Sequence, residues 1–237
     1  MSNNLFKRSA LVFALLLSAV GGAQAALITS GFTFAVASGG SLATGTHFHS
    51  NTGGSFGNPA GKAEVGRYSS EEVRGLSEYN LTGLSSAASA FVTFDIFRAG
   101  GLFAGVNGTP FTGSVIVDAY AGNNTEDISD YQAVSIGSIG TFNVQSGVNV
   151  VGDIFSFNIT SLYNSIVAGS GTSLGIRLRE STSNADFVLS KAWTFQNFRL
   201  TTDDQCTGAG CGTVPEPTSL ALVALGMLGA AALRRRG

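Results

Sequence analysis

His47 and His49 stand either side of Phe48 and are the only two imidazoles in the 237-residue chain. On a strand, alternate residues share a face, and a His-x-His pair can ligate a metal. No third strong ligand stands nearby in sequence, so a pair of surface histidines is the competing expectation. Glu71, Glu72 and Glu78 fall in the most charged stretch, Lys62 to Leu84. Glycoside hydrolases set two carboxylates across a sugar, but the separation that makes a pair catalytic is not a property of sequence. Solvated charges around a strand at Val73 to Leu81 are the plainer expectation. The densest set of oxygen donors is Gly122 to Asp130. Together with Asp118, its Asn123, Asn124, Glu126, Asp127 and Asp130 could supply hard ligands for Ca²⁺. The spacing is not that of an EF-hand, and a solvated loop whose Asp and Asn cap turns is the alternative.

Other chemistry finds little support. With imidazoles only at 47 and 49, a Ser-His-Asp triad would have to draw on a Gly/Ser-rich segment. No phosphate-binding Walker loop or dinucleotide fingerprint is present. The expectation is therefore a non-enzyme, with no cofactor beyond a structural Ca²⁺. Cys206 and Cys211, in Cys-Thr-Gly-Ala-Gly-Cys, read as a disulfide if the chain is exported. Two thiolates without nearby His are too few for a closed zinc site.

The elements that must position these groups read as strands. Gly31 to Ala37 alternates, with Phe32, Phe34 and Val36 on one face. Ser38 to Gly61, which holds both histidines, reads as a long turn-rich segment. Phe91 to Phe97 is apolar on both faces and reads as a central strand; Gly113 to Ala121 is another. Between them Asn107-Gly108 is a tight-turn signal. Gln132 to Ile136, Ile139 to Val144 and Val148 to Phe157 are short runs. Ser161 to Gly169 could form one or two helical turns that put Leu162 and Ile166 on one face. Leu174, Ile176 and Leu178 point inward and Arg177 and Arg179 outward. Trp193, Phe195, Phe198 and Leu200 close the domain, their uneven spacing suggesting a bulge near Gln196 and Asn197. Many short strands with turns between them predict an all-β, two-sheet β-sandwich of jelly-roll type.

Composition agrees with a secreted β-protein. Charged residues are 12% of the chain, and glycine is 32 of 237 residues. Five of the thirteen basic residues (Lys7, Arg8, Arg234, Arg235, Arg236) lie at the two ends, so the middle of the chain is acidic and has no basic patch for nucleic acid.

Both ends carry targeting patterns. Met1 to Ala25 has Lys7 and Arg8, an apolar run from Ala10 to Val20, and the small-residue pattern Ala23-Gln24-Ala25. It predicts a secretory signal peptide cut before Ala26, which engages the Sec translocon and signal peptidase. Residues 26–202 then form the β-sandwich domain and 203–213 a Gly/Cys linker. Residues 214–237 join Val-Pro-Glu-Pro to an apolar run from Leu220 to Leu233 and a terminal Arg234-Arg235-Arg236. As a helix, Thr218 to Leu233 would span roughly 24 Å, enough for a thin or locally thinned bilayer. The arginines would stay on the cytoplasmic side.

This tripartite tail resembles the PEP-CTERM sorting signal of Gram-negative bacteria. The resemblance implies that an exosortase recognises Pro215, Glu216 and Pro217 and cuts at or near them. The protein would pass through the inner membrane as an intermediate before release to the cell surface or matrix. Val73 to Leu84, Phe155 to Leu162 and Ser173 to Arg179 resemble strands of DNRLRE-type and carbohydrate-binding-module-like jelly rolls. On that resemblance Arg177 and Arg179 could hydrogen-bond a glycan. The leading functional expectation is a non-catalytic exported component of the cell surface or of an exopolysaccharide or biofilm matrix. The alternatives are a carbohydrate-binding module for the extracellular polysaccharide and a secreted glycan hydrolase.

Overall fold

In the computed structural model, which describes residues 26–28, 31–54 and 59–202, the short apolar runs become strands. In chain order they are β1 Ala26–Ile28, β2 Gly31–Ser38, β3 Gly45–Ser50, β4 Ala63–Tyr68, β5 Glu71–Asn80 and β6 Ala90–Arg98. There follow β7 Gly113–Ala121, β8 Ser135–Val144, β9 Ile154–Asn158, β10 Ser173–Glu180 and β11 Ala192–Thr202.

Their pairing is nested. β7 pairs with β8, β6 with β9, β5 with β10 and β4 with β11, all antiparallel. A long hairpin rolled up on itself pairs its strands in this way, and the result is the jelly-roll arrangement of two four-stranded sheets. The sheets run β5-β10-β7-β8 and β4-β11-β6-β9. β2 extends the first beyond β5, β3 pairs with β2, and β1 adds to β11. β4 belongs to both sheets: Ala63 to Gly66 pair with β11, and Gly66 to Tyr68 with β5. Gly66 makes that corner possible. Its φ is +135°, and a Cβ there would lie 2.3 Å from the Lys191 carbonyl oxygen.

Period-two alternation fills the space between the sheets. Val115, Val117 and Ala119 of β7 and Leu174, Ile176 and Leu178 of β10 face Val92, Phe94 and Ile96 of β6 and Trp193, Phe195 and Leu200 of β11. Phe94 stacks on Phe198 at 4.7 Å between centroids and meets Phe195 edge-on at 5.6 Å. The buried Trp193 indole donates to the Phe111 carbonyl at 2.8 Å, so its one polar atom is satisfied. The helix Thr160–Ala168 buries Tyr163, and Asn158 Oδ1 accepts from the Thr160 amide just before it. Gly169 follows the helix, as the sequence leads one to expect.

Several expectations need correction. The segment 38–61 contains β3, whose apolar residues are too few to show an alternation. Ser135 and Ile136, the end of the run at 132–136, join the run at 139–144 in β8, because Gly137 and Gly140 lie within the strand and do not end it, while Gln132 closes a 3₁₀ turn. A Cβ on Gly140 would press on Phe157 at 3.1 Å. Asn107-Gly108 is no tight turn: Asn107 ends a one-turn helix, Ala104–Asn107, and is fully buried. The expected bulge is present between Gln196 and Arg199, with Asn197 at φ +55°.

The outer face of β2, β5 and β7 would ordinarily be solvated. Here Phe34, Val36, Leu76 and Tyr120 on that face are covered by a second small core built from Tyr131, Ile128 and Ala133. The covering segment includes the 3₁₀ turn Ile128–Gln132, capped by the Asp127 side chain on the Ser129 amide. That cover takes the polar residues of the face out of water.

Candidate functional site

β3 places His47 and His49 on one face and Phe48 on the other, where it packs beside Phe34 in the covered layer. Register then does what sequence distance hides. β2 lies between β3 and β5, with Ala37 opposite both His47 and Val73. Two residues before Val73, on the same face, is Glu71. His47 Nε2 lies 3.6 Å from Glu71 Oε2, and one ligand atom from each of His47, His49 and Glu71 falls within 4.8 Å of the others. Among the described residues this is the grouping of three potential metal donors. Two of the three are partly open to water: the His47 side chain is 39% exposed and Glu71 24%.

His49 is not a surface histidine; it is buried, with Tyr68 and Phe103 packed edge-on at 5.0 and 4.8 Å. Its Nδ1 stands 3.5 Å from Glu64 Oε1, which is also buried. Glu64 is in turn fixed by the Leu102 amide at 3.1 Å and by the Asn107 side-chain amide. Asn107 also donates to the Arg67 carbonyl at 3.2 Å, so the 101–107 segment is tied to β4. Glu64 was not among the residues sequence reasoning singled out. An acid between Ala63 and Val65 in a strand-like run was the available signal.

The other carboxylates serve the covered layer. Glu72 and Glu78 are buried, contrary to the expectation of solvated charges. Glu72 accepts from both Arg74 Nε at 2.8 Å and Arg74 Nη2 at 3.0 Å, and from the Tyr131 hydroxyl at 3.0 Å. Glu78 Oε2 accepts from the amides of Asn123 and Asn124 and from the Ser173 hydroxyl. Arg177 is buried and donates to the carbonyls of Tyr131 and Ala133 at 3.1 and 2.8 Å. Its alternation was as expected, but outward here means under the covering segment and out of a glycan's reach. Arg179 is 30% exposed and donates to Asp118 at 2.9 Å.

The proposed Ca²⁺ donors are engaged separately. Asp118 pairs with Arg179; Glu126 accepts from the Thr52 amide and hydroxyl; Asp127 caps the 3₁₀ turn. Asn123 Oδ1 accepts from the Thr125 amide at 2.8 Å, and Asn124 Nδ2 donates to the Thr172 carbonyl. Asp130 is buried. Burial first, then the charges of Glu78 and Asp127, push its carboxyl up to about 7. Burial, then Glu78 and Asp130, raises the Tyr120 phenol well above its ordinary value.

An open groove of about 440 Å³ lies elsewhere, lined by Phe32, Thr33, Ser77, Asn197, Phe198 and Arg199 among others. Among the described residues no helix is long and apolar enough to cross a membrane. The signal-cleavage residues Ala23 and Ala25, the cysteines Cys206 and Cys211, Pro215-Glu216-Pro217 and Arg234 to Arg236 lie outside the described residues, and so does the predicted span; Ala26 begins β1.

Residues 213–236 match the PEP-CTERM protein-sorting motif. The chain thus carries the sorting signal of an exosortase substrate, a protein exported across the membrane and directed toward the cell surface. No curated protein matches the chain.

Proposed function

We propose that the exported β-sandwich is a non-catalytic component of the cell surface or of the exopolysaccharide matrix of a biofilm. The sorting motif at 213–236 carries this reading, since it directs the body outward and leaves the jelly roll as the part that functions there. The engagement of Glu72 by Arg74 and of Glu78 by main-chain amides supports a structural role for those acids over sugar cleavage. The test is fractionation of cells with and without their exosortase. The expected result is a processed body in the surface or matrix fraction, replaced by an uncleaved membrane species when the exosortase is absent. An uncleaved membrane species in both strains overturns the proposal.

A second reading, glycan binding, is favoured by the groove beside Phe32 and Phe198. Aromatic faces beside Thr33, Ser77 and Asn197 offer the stacking and hydrogen bonding that sugars use. Co-sedimentation of the protein with its host's extracellular polysaccharide tests it. Saturable binding lost in Phe32→Ala supports groove recognition; no binding by the folded protein removes it.

A further inference from the structure

We propose that His47, His49 and Glu71 bind one divalent transition-metal ion of the zinc class. One donor pair has the spacing such an ion needs, and the three ligand atoms lie within 4.8 Å of one another, so the set must draw in on binding. Donors at about 2.1 Å from a tetrahedral ion sit about 3.4 Å from one another, and His47 Nε2 and Glu71 Oε2 are 3.6 Å apart.

Hydrogen bonding around His47 accommodates the tautomer a metal needs. The Thr46 hydroxyl lies 3.4 Å from the Ala37 carbonyl and 2.9 Å from His47 Nδ1. A hydroxyl that donates to the carbonyl can accept from Nδ1–H, the arrangement that leaves Nε2 free as a donor to a metal. The lone pair on Nε2 then faces a carboxylate oxygen at 3.6 Å, a pair of donors that a metal cation between them would satisfy.

His49 supplies the independent observation. It is 1% exposed, and its Nδ1 makes no hydrogen bond where it stands, 3.5 Å from Glu64. An ion on Nε2 polarises the ring and directs the Nδ1 proton to that carboxylate, the outer partner that metal-bound imidazoles adopt. Tyr68 and Phe103 wall the ring and hold its plane. Two imidazoles and one carboxylate suit Zn²⁺ and its neighbours rather than Ca²⁺. Three protein donors leave a fourth position, which the exposed edge of His47 places toward water. This inference is independent of sorting.

The test uses the full-length chain purified in detergent, stripped of metal and titrated with Co²⁺, alongside a Cys206→Ser/Cys211→Ser form. The expected result is one equivalent bound in both, with the visible absorption of low-coordinate Co²⁺, displaced by Zn²⁺ and not by Ca²⁺. His47→Ala and Glu71→Gln, at partly exposed positions, should keep the wild-type circular dichroism and lose saturable uptake. Glu64→Gln should retain the site with affinity lowered about 10- to 100-fold. Overturning results are no saturable uptake by the folded chain, uptake undiminished in His47→Ala, or uptake abolished by the cysteine substitutions.

Discussion

Arg177 donates to the Ala133 main-chain carbonyl at 2.8 Å, so a guanidinium on an interior strand of the sandwich holds the covering segment from below. Asp130 and Tyr131 present carbonyls to the same nitrogen at 3.4 and 3.1 Å. The Tyr131 carbonyl also accepts from Arg74 and the Asp130 carbonyl from the Ala133 amide, so the Ala133 carbonyl is the one that relies on Arg177. Burial lowers the guanidinium's own pKa, as does the nearby Arg74, and Asp118 works against both.

Removing that guanidinium should therefore be costly. Arg177→Met keeps the stem and leaves the Ala133 carbonyl without the guanidinium, while the Tyr131 carbonyl keeps Arg74 and Asp118 keeps Arg179. The expected loss is about 1–3 kcal/mol, read as a lower urea midpoint. Arg179→Met removes a half-exposed partner of the same aspartate and should cost about 1 kcal/mol or less. Equal losses would mean that the covering segment is held by its apolar contacts alone.

Stability should fall as pH rises through neutrality. Asp130 and Glu180 are both pushed up to about 7, chiefly by burial, from ordinary values of 3.8 and 4.5. The folded chain therefore holds these protons more tightly than the unfolded one. Their contribution is complete below about pH 4 and is lost as pH climbs through about 7. Asp186, held low by Lys191, has the opposite sign, but its effect lies at acid pH and leaves this window untouched. The urea midpoint should decline between about pH 5 and pH 8, and Asp130→Asn with Glu180→Gln should flatten that decline. A midpoint that rises across the window contradicts the assignment.

Processing should depend on the acid of the motif. Glu216 stands between Pro215 and Pro217, inside the matched segment. Glu216→Ala should leave the body intact and accumulate the longer precursor in the membrane fraction, with a mass that includes the tail. Normal release of the processed form would show that the flanking prolines suffice.

Much of the sandwich was legible because its strands obey period two. Phe91 to Phe97, Gly113 to Ala121 and Leu174 to Leu178 all became strands, the last with the inward residues expected. The nested pairing was legible only as a class, since register is written in long-range contacts. The candidate site was half legible. His47 and His49 announced themselves by spacing, but Glu71 joins them only because β2 separates β3 from β5 by one strand. Arg177 alternated outward as expected and ended buried, because the residues at 128–133 that cover it read as polar loop.

Glycine was the type most easily misread, since in this sequence it suggests turns throughout, and Gly175 is the sharpest case. It lies within β10, between Leu174 and Ile176, and faces the Tyr120 ring on β7. A Cβ there would come within 2.2 Å of Tyr120 Cζ, an overlap that only movement of the ring could relieve. Tyr120 is fully buried, so Gly175→Ala should cost about 1–3 kcal/mol. Gly40, whose added Cβ would meet nothing within 4 Å, provides the control. Its replacement by Ala should change stability by no more than about 0.5 kcal/mol. If the clash is the cause, the double variant Gly175→Ala/Tyr120→Leu should be more stable than the sum of its single changes. Additive losses would place the cost of Gly175→Ala in the strand backbone instead.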